Sequence, residues 1–162
     1  ARMLARLDYV KLAPRRVLDA GSGPPERALA KRYPGAEVIA LDFALAMLRR
    51  RAFRFFRKTL AVCADMQRLP LSDAAVDLAW CNMALHWVAD PRAAFSEFAR
   101  VLAPQGLFMF STLGPDTLKE LRAAAGALDS STLPYIAGLS SPPGLASSIR
   151  TRAVRVLGSS VG

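Results

Sequence analysis

Five short apolar runs recur along residues 17–111, and the stretches between them have the spacing of amphipathic helices. Short apolar runs bounded by turn residues are typical of buried strands, whereas apolar residues three or four apart indicate helices. Strands that alternate with helices form a parallel sheet with helices on both faces. The fold class predicted is a doubly wound, mostly parallel α/β sheet. Its predicted strands are Val17–Ala20, Glu37–Leu41, Leu60–Cys63, Val76–Cys81 and Leu107–Ser111.

Crossover rules predict the arrangement of these strands. Right-handed connections favour the order 3-2-1-4-5, and ligands of such sheets bind at the carboxyl ends, where the order reverses between the first and fourth strands. In this order Cys63 and Cys81 lie on strands that are not neighbours. We therefore expect no disulfide between them.

Four helices are predicted between and after the strands. Asp90 followed by Pro91 is typical of a helix start, with an N-cap and a proline in the first turn. The segment Pro104-Gln105-Gly106 should end that helix. The predicted helices are Pro25–Arg32, Ala44 to about Lys58, Asp90 to about Leu102, and Pro115 to about Leu128.

Length and composition limit the classes of protein to which this chain can belong. The 162 residues suit one domain, and two cysteines without Cys-x-x-Cys spacing argue against a secreted disulfide scaffold. With a single histidine, no metal site is predicted. No apolar run is long enough to span a bilayer, so no membrane partner is expected.

A net charge of +9 leaves an acidic partner possible. Six basic residues within residues 49–58 alternate with Phe53, Phe55 and Phe56. They form either a solvated helix face, a docking surface for an acidic carrier protein, or a nucleic-acid surface. We favour the solvated face and expect no nucleic-acid partner.

The residues that follow the first two strands are typical of a nucleotide site. Gly21 and Gly23 lie between a strand and a helix, where glycine lets a ligand approach the backbone, and Asp19 supports the turn. Asp42, 19 residues beyond Gly23, can accept hydrogen bonds from ribose hydroxyls. The alternative, which we favour less, is an N-cap for the next helix. A third glycine of the dinucleotide motif would fall at Glu26, which disfavours a dehydrogenase.

Asp65 and Met66 follow the third strand. The carboxylate of Asp65 can accept a hydrogen bond from an adenine amino group while Met66 packs on the ring. The alternative is an aspartate that makes hydrogen bonds within its own turn.

The succession of these motifs resembles the class I S-adenosylmethionine-dependent methyltransferases, whose fold is Rossmann-like. The resemblance implies S-adenosylmethionine as cofactor, with Asn82 near its amino acid end. The motifs that carry it are Val17–Gly23, Leu41-Asp42, Ala64-Asp65, Leu69–Leu71, Val76–Leu78 and Leu102–Gly106.

Two further segments, Asn82–Val88 and Phe110–Arg122, resemble the malonyl-acyl-carrier-protein O-methyltransferases of biotin synthesis. The resemblance implies a cytoplasmic enzyme that methylates the free carboxylate of a malonyl thioester on acyl carrier protein. The alternative is a non-catalytic module that binds a protein partner or nucleic acid, similar to mitochondrial complex I assembly factors.

His86 is either a general base or a packing residue, and we favour packing. A malonyl carboxylate is already ionised at neutral pH, so its methylation requires no base. We therefore assign no catalytic residue.

Two features depart from the family pattern. Pro24-Pro25 stands where a further glycine is usual, and Pro25 lacks an N–H. After Arg122 the resemblance ends, and 15 of the 34 residues from Asp129 to Gly162 are Ser, Gly or Pro.

We expect a methyltransferase-fold domain at 1–128, a weakly ordered tail at 129–162, and missing or aberrant C-terminal strands. The predicted fifth strand would then be an open sheet edge that invites self-association, unless Ile149–Leu157 covers it.

Overall fold

A computed structural model describes residues 2–23, 28–49, 59–113 and 155–161. They contain six strands, four helices and two 3-10 turns. The strands are β1 (Arg16–Ala20), β2 (Glu37–Asp42), β3 (Thr59–Cys63), β4 (Val76–Asn82), β5 (Leu102–Leu113) and β6 (Arg155–Val161). The helices are α1 (Arg2–Arg6), α2 (Ala28–Arg32), α3 (Leu45–Arg49) and α4 (Pro91–Val101), and the 3-10 turns are Leu7–Tyr9 and Leu85–Trp87.

The strands form one sheet in the order β3-β2-β1-β4-β5-β6, and every neighbouring pair is parallel. The predicted order of the first five strands is confirmed. Cys63 and Cys81 lie on β3 and β4 with two strands between them, and both are free thiols.

Two apolar layers cover the sheet. One contains the aromatic residues of α4 and β5, in which Phe98 stacks on Phe108 with ring centroids 4.4 Å apart. The other is mainly aliphatic and includes Leu7, Val17 and Leu29. Buried side chains on both faces explain why the central strands are mostly apolar.

Helix α4 begins as the sequence predicts. The Asp90 carboxylate accepts hydrogen bonds from the backbone N–H groups of Arg92 (2.9 Å) and Ala93 (3.3 Å), and Pro91 occupies the first turn. Phe95 and Phe98, three residues apart, turn the same face of the helix into the aromatic layer.

The other predicted helices fall partly or wholly outside the described residues. Only Ala28–Arg32 of the second helix and Leu45–Arg49 of the third are described. The remaining basic residues of 49–58, and the predicted helix from Pro115 to Leu128, lie outside the described residues. None of the helices within the described ranges is long and apolar enough to cross a membrane.

Strand β5 begins five residues earlier than predicted. Val76 pairs with Leu102, but Leu78 pairs with Leu107, so the intervening residues of β5 bulge out of register. Gln105 has a φ of 62°, and a side chain at Gly106 would meet the Ala103 carbonyl oxygen at 2.9 Å. The segment predicted to separate helix from strand is thus an irregularity inside the strand.

Strand β6 covers the β5 edge, which we expected to be open unless Ile149–Leu157 covered it. It pairs with β5 from Leu107 opposite Arg155 to Leu113 opposite Val161. The predicted covering segment overlaps β6 at residues 155–157 only. The pairing is parallel. The proposed boundary at residue 128 lies outside the described residues.

Candidate functional site

A cavity of about 670 Å³ opens at the carboxyl ends of the strands, where β1 lies between β2 and β4. Five of the seven predicted site residues line it. They are Gly21, Gly23, Asp42, Asp65 and Met66. The position matches the rule that ligands of open α/β sheets bind where the strand order reverses.

Gly21 forms part of the cavity floor and requires the absence of a side chain. Its φ is +65°, and a Cβ there would lie 2.2 Å from the Cβ of Ala84 and 3.5 Å from the Cε of Met66. The turn after β1 therefore lies directly against the segment after β4. Only glycine allows this approach.

Asp42 connects the glycine turn to the start of α3. Its Oδ2 accepts a hydrogen bond from the Gly23 N–H (2.9 Å), and its Oδ1 accepts one from the Ala44 N–H (2.9 Å). The contact with Ala44 closes the turn ahead of α3, which begins at Leu45, so it is not the N-cap hydrogen bond that we considered as the alternative. The Gly23 N–H is used inside the protein, but within the described part of the chain each Asp42 oxygen accepts one hydrogen bond, which leaves it a second lone pair for a ligand.

For Asp65 we considered, as the alternative, hydrogen bonds within its own turn, and these are present. Its Oδ1 accepts hydrogen bonds from the Gln67 backbone N–H (2.8 Å) and side-chain Nε2 (3.1 Å), and its Oδ2 accepts one from Nε2 (3.0 Å). Asp65 nevertheless lines the cavity, as does Gln67. Sequence reasoning missed Gln67, because a glutamine two residues after an aspartate carries no distinctive pattern.

The segment that carries Asp65 is fixed by its own Gln67 side chain and by two side chains of α4. The Gln67 Oε1 accepts the Asp90 N–H at 2.7 Å, and the Glu97 Oε2 accepts the Leu69 N–H at 2.7 Å. The Arg100 guanidinium donates to the Leu69 carbonyl oxygen at 3.0 Å and to both Glu97 oxygens at 2.7 Å.

Arg100 also donates to the Leu71 carbonyl oxygen (2.7 Å) and to Asp73 (3.0 Å). Its hydrogen bond with Glu97 lowers the pKa of Glu97 and raises the pKa of Arg100, so both groups stay charged.

Asp19 and Asn82 are not among the residues that line the cavity. Asp19 is buried in β1, and its charge adds to the burial that raises the pKa of the Cys81 thiol to about 12. Asn82 ends β4, and its Oδ1 accepts a hydrogen bond from the Ser111 hydroxyl at 2.7 Å. The Met83 N–H donates to that hydroxyl at 3.1 Å. Contacts of both residues with a cofactor stay predictions.

His86 does not line the cavity either. Its Nδ1 is buried and has no hydrogen-bond partner among the described residues, and burial lowers the pKa of the imidazole. Its ring lies 5.1 Å from that of Trp87. A neutral, packed histidine fits these contacts better than a general base.

An exposed apolar rim surrounds the cavity and was not predicted. Phe43 is 77% exposed, Trp87 is 66% exposed, and both line the cavity together with Met47. The sequence did contain an indication of this rim, since Phe43 directly follows Asp42, the residue that ends β2. Within the described ranges, no group of three His, Cys, Asp or Glu residues is placed to hold a metal ion.

Sequence comparison finds relatives for most of the chain. Residues 18–110 match the methyltransferase domain family. A malonyl-[acyl-carrier protein] O-methyltransferase of Methylovorus sp. (strain MP688) is 56% identical over 134 residues, covering 76% of this chain and 45% of the relative. One of Gallionella capsiferriformans (strain ES-2) is 50% identical over 138 residues, covering 79% and 48%. The chain spans about half the length of the curated relatives it matches.

Solved structures share the sheet. A Mesorhizobium loti S-adenosylmethionine-dependent methyltransferase superposes with a TM-score of 0.56 at 32% identity, covering 62% of this chain and 47% of that one. The Bacillus subtilis YcgJ protein gives a TM-score of 0.63 at 25% identity, covering 77% and 57%. The chain therefore belongs to the methyltransferase domain family and has the Rossmann-like fold of the class I S-adenosylmethionine-dependent methyltransferases.

Proposed function

We propose that this domain binds S-adenosylmethionine in the cavity and transfers its methyl group to a carboxylate oxygen. The observation that carries the proposal is the contact of the Gly21 turn with Ala84, beside Asp42 at the end of β2. Family membership and the Mesorhizobium loti relative support the choice of cofactor.

The residues present fit this cofactor. The free lone pairs of Asp42 suit ribose hydroxyls, and Asp65 with Met66 suits an adenine ring. Gly23 acts by holding Asp42, and Asp19 supports the turn from within β1. Asn82, fixed by Ser111, stands at the end of β4 on the side proposed for the amino acid end.

The proposed substrate is the malonyl thioester of acyl carrier protein. The relatives from Methylovorus and Gallionella carry this activity in their names, at 56% and 50% identity. The proposed location is the cytoplasm, where the free thiols of Cys63 and Cys81 would stay reduced.

When bound, the cofactor supplies a methyl group on a positively charged sulfonium. The malonyl carboxylate is ionised at neutral pH, so the protein need not remove a proton. This agrees with a neutral His86 that does not line the cavity. The contribution of the chain is orientation and the exclusion of water by the apolar residues Phe43, Met47 and Trp87.

Calorimetric titration with S-adenosylhomocysteine tests the cofactor proposal. Asp42→Ala should weaken binding at least about tenfold, because it removes the proposed ribose contacts and releases the Gly23 N–H. Asp8→Ala is the matched control, since Asp8 is exposed and pairs with Arg32 outside the cavity. Equal affinities for Asp42→Ala and the wild type would refute the ribose assignment.

Methyl transfer to malonyl-acyl carrier protein tests the substrate proposal. We expect the labelled methyl group to become a base-labile ester on the carrier. Acetyl-acyl carrier protein is the control, because it lacks the free carboxylate. A chain that binds S-adenosylhomocysteine but does not label the malonyl carrier contradicts the proposed substrate and supports a non-catalytic module.

A further inference from the structure

The side chain of Gln67 joins two walls of the cavity. Its Nε2 donates to both carboxylate oxygens of Asp65, at 3.1 and 3.0 Å, and its Oε1 accepts the Asp90 N–H at 2.7 Å. Asp65 and Gln67 line the cavity on the β3 side, and Asp90 directly follows the lining residue Ala89. One amide thus fixes the orientation of a cavity carboxylate and ties it to the segment before α4.

These contacts leave Asp65 with little remaining acceptor capacity. An ionised carboxylate offers about four lone-pair sites, two on each oxygen. The Gln67 backbone N–H and Nε2 use both sites of Oδ1, and Nε2 uses one site of Oδ2. Counted over the described residues, a single acceptor site remains, on Oδ2, and its direction is fixed because the carboxylate cannot rotate without breaking these hydrogen bonds.

A single fixed acceptor distinguishes adenine from hypoxanthine. Adenine carries an exocyclic amino group, which donates, where hypoxanthine carries a carbonyl oxygen, which repels a carboxylate. Hypoxanthine also has an N–H on the adjacent ring nitrogen, and a carboxylate free to rotate could accept from it. Selectivity therefore requires that the carboxylate be held still.

We propose that Gln67 is a positioning residue that makes the cavity selective for an adenine base, by holding the Asp65 carboxylate in one orientation. This inference rests on the proposed binding of S-adenosylmethionine. The donor that matters is Nε2, whereas the Asp90 contact only places the Gln67 side chain.

The test compares the affinities of S-adenosylhomocysteine and S-inosylhomocysteine by calorimetry. We expect the wild type to prefer the adenine compound at least about tenfold, from one charge-assisted hydrogen bond. Gln67→Met removes both side-chain contacts, and the preference should fall to about threefold or less. Gln67→Glu keeps an acceptor for the Asp90 N–H but loses the donor, so it should lose the preference to the same extent. Gln105→Met is the matched control, because Gln105 is exposed in the β5 bulge.

The ratio of two affinities separates positioning from a structural role. A variant that is partly unfolded weakens both ligands equally and leaves the ratio unchanged. The proposal is overturned if Gln67→Met keeps the wild-type ratio, if Gln67→Glu keeps it, or if the wild type shows no preference. A wild type that binds neither compound refutes the proposed function and this inference together, whereas an unchanged ratio in binding-competent variants refutes this inference alone.

Discussion

The two sides of the cavity are built in different ways. The turn wall, residues 21–23 and 42–44, is held by backbone N–H groups that donate to the single carboxylate of Asp42. The loop wall, residues 65–67 and 84–89, depends on the side chains of Gln67, Glu97 and Arg100. The first wall is held through backbone N–H groups 2 and 19 positions from Asp42, whereas the second depends on side-chain contacts between residues 23 to 31 positions apart.

This difference predicts different sensitivities to mutation. In the turn wall, adding a single methyl group to Gly21 displaces the backbone itself. In the loop wall, losing one side chain removes hydrogen bonds but leaves the backbone path allowed. We therefore expect the largest effects in the turn wall and graded effects in the loop wall.

The largest effect is expected for Gly21→Ala. An alanine at a φ of +65° is strained, and its Cβ would overlap that of Ala84, so we expect a loss of about 3 kcal/mol in unfolding free energy. Binding of S-adenosylhomocysteine should fall at least about 100-fold, because the cavity floor must move.

Urea unfolding and calorimetry measure both effects for Gly21→Ala. Gly35→Ala is the matched control, since Gly35 lies outside the left-handed region and a Cβ there meets nothing within 4 Å. It should be neutral or slightly stabilising. Similar results for the two variants would show that the turn wall is not a close-packed floor.

An intermediate effect is expected for Arg100→Met in the loop wall. The change removes hydrogen bonds to Leu69, Leu71, Asp73 and Glu97, with a loss of about 2 kcal/mol because the guanidinium is only partly exposed. A double-mutant cycle with Glu97→Gln at neutral pH should give a coupling free energy of about 1 kcal/mol.

The binding readout for Arg100→Met sharpens the comparison of the walls. The affinity for S-adenosylhomocysteine should fall by about threefold to tenfold, since Asp65 keeps its own contacts with Gln67. Wild-type affinity in a clearly destabilised variant would mean that α4 supports the fold without positioning the loop wall.

The smallest effect concerns the pH dependence of His86, which lies in the loop-wall segment without lining the cavity. Because burial lowers the pKa of this imidazole, the unfolded chain takes up a proton at a higher pH than the folded chain does. The folded state should therefore lose stability as the pH falls through about 6.5, the ordinary pKa of histidine.

This loss should remain below about 1 kcal/mol, because the ring is not fully buried. His86→Gln should make the unfolding free energy flatter between pH 8 and pH 5, and no other histidine titrates in this range. An unchanged slope would show that the imidazole is not desolvated in the folded state.

The turn wall was largely predictable from the sequence. Gly21, Gly23 and Asp42 occupy positions where strands end, and strand ends follow from the lengths of the apolar runs. The strand order was also predictable, because the handedness of crossover connections leaves few alternatives. Both competing interpretations of Asp42 rested on its position, and its contact with the Ala44 N–H closes the turn ahead of α3.

The loop wall was predictable only in part. Asp65 and Met66 follow β3, so their position was evident, but the roles of Gln67, Glu97 and Arg100 depend on how α4 packs. Strand β6 was similarly difficult to place, because a segment rich in Ser and Gly has no strong periodicity of its own. Pairing with β5 defines its register.

The two tryptophans of the chain lie in opposite environments. Trp80 is 7% exposed within β4, whereas Trp87 is 66% exposed at the cavity rim. An indole buried in protein fluoresces at shorter wavelength than one in contact with water. The emission spectrum should therefore contain two separable reporters, with the blue edge following unfolding of the sheet and the red edge following occupancy of the cavity. Trp80→Phe would leave Trp87 as the one tryptophan, so that in the folded chain its emission would report occupancy of the cavity.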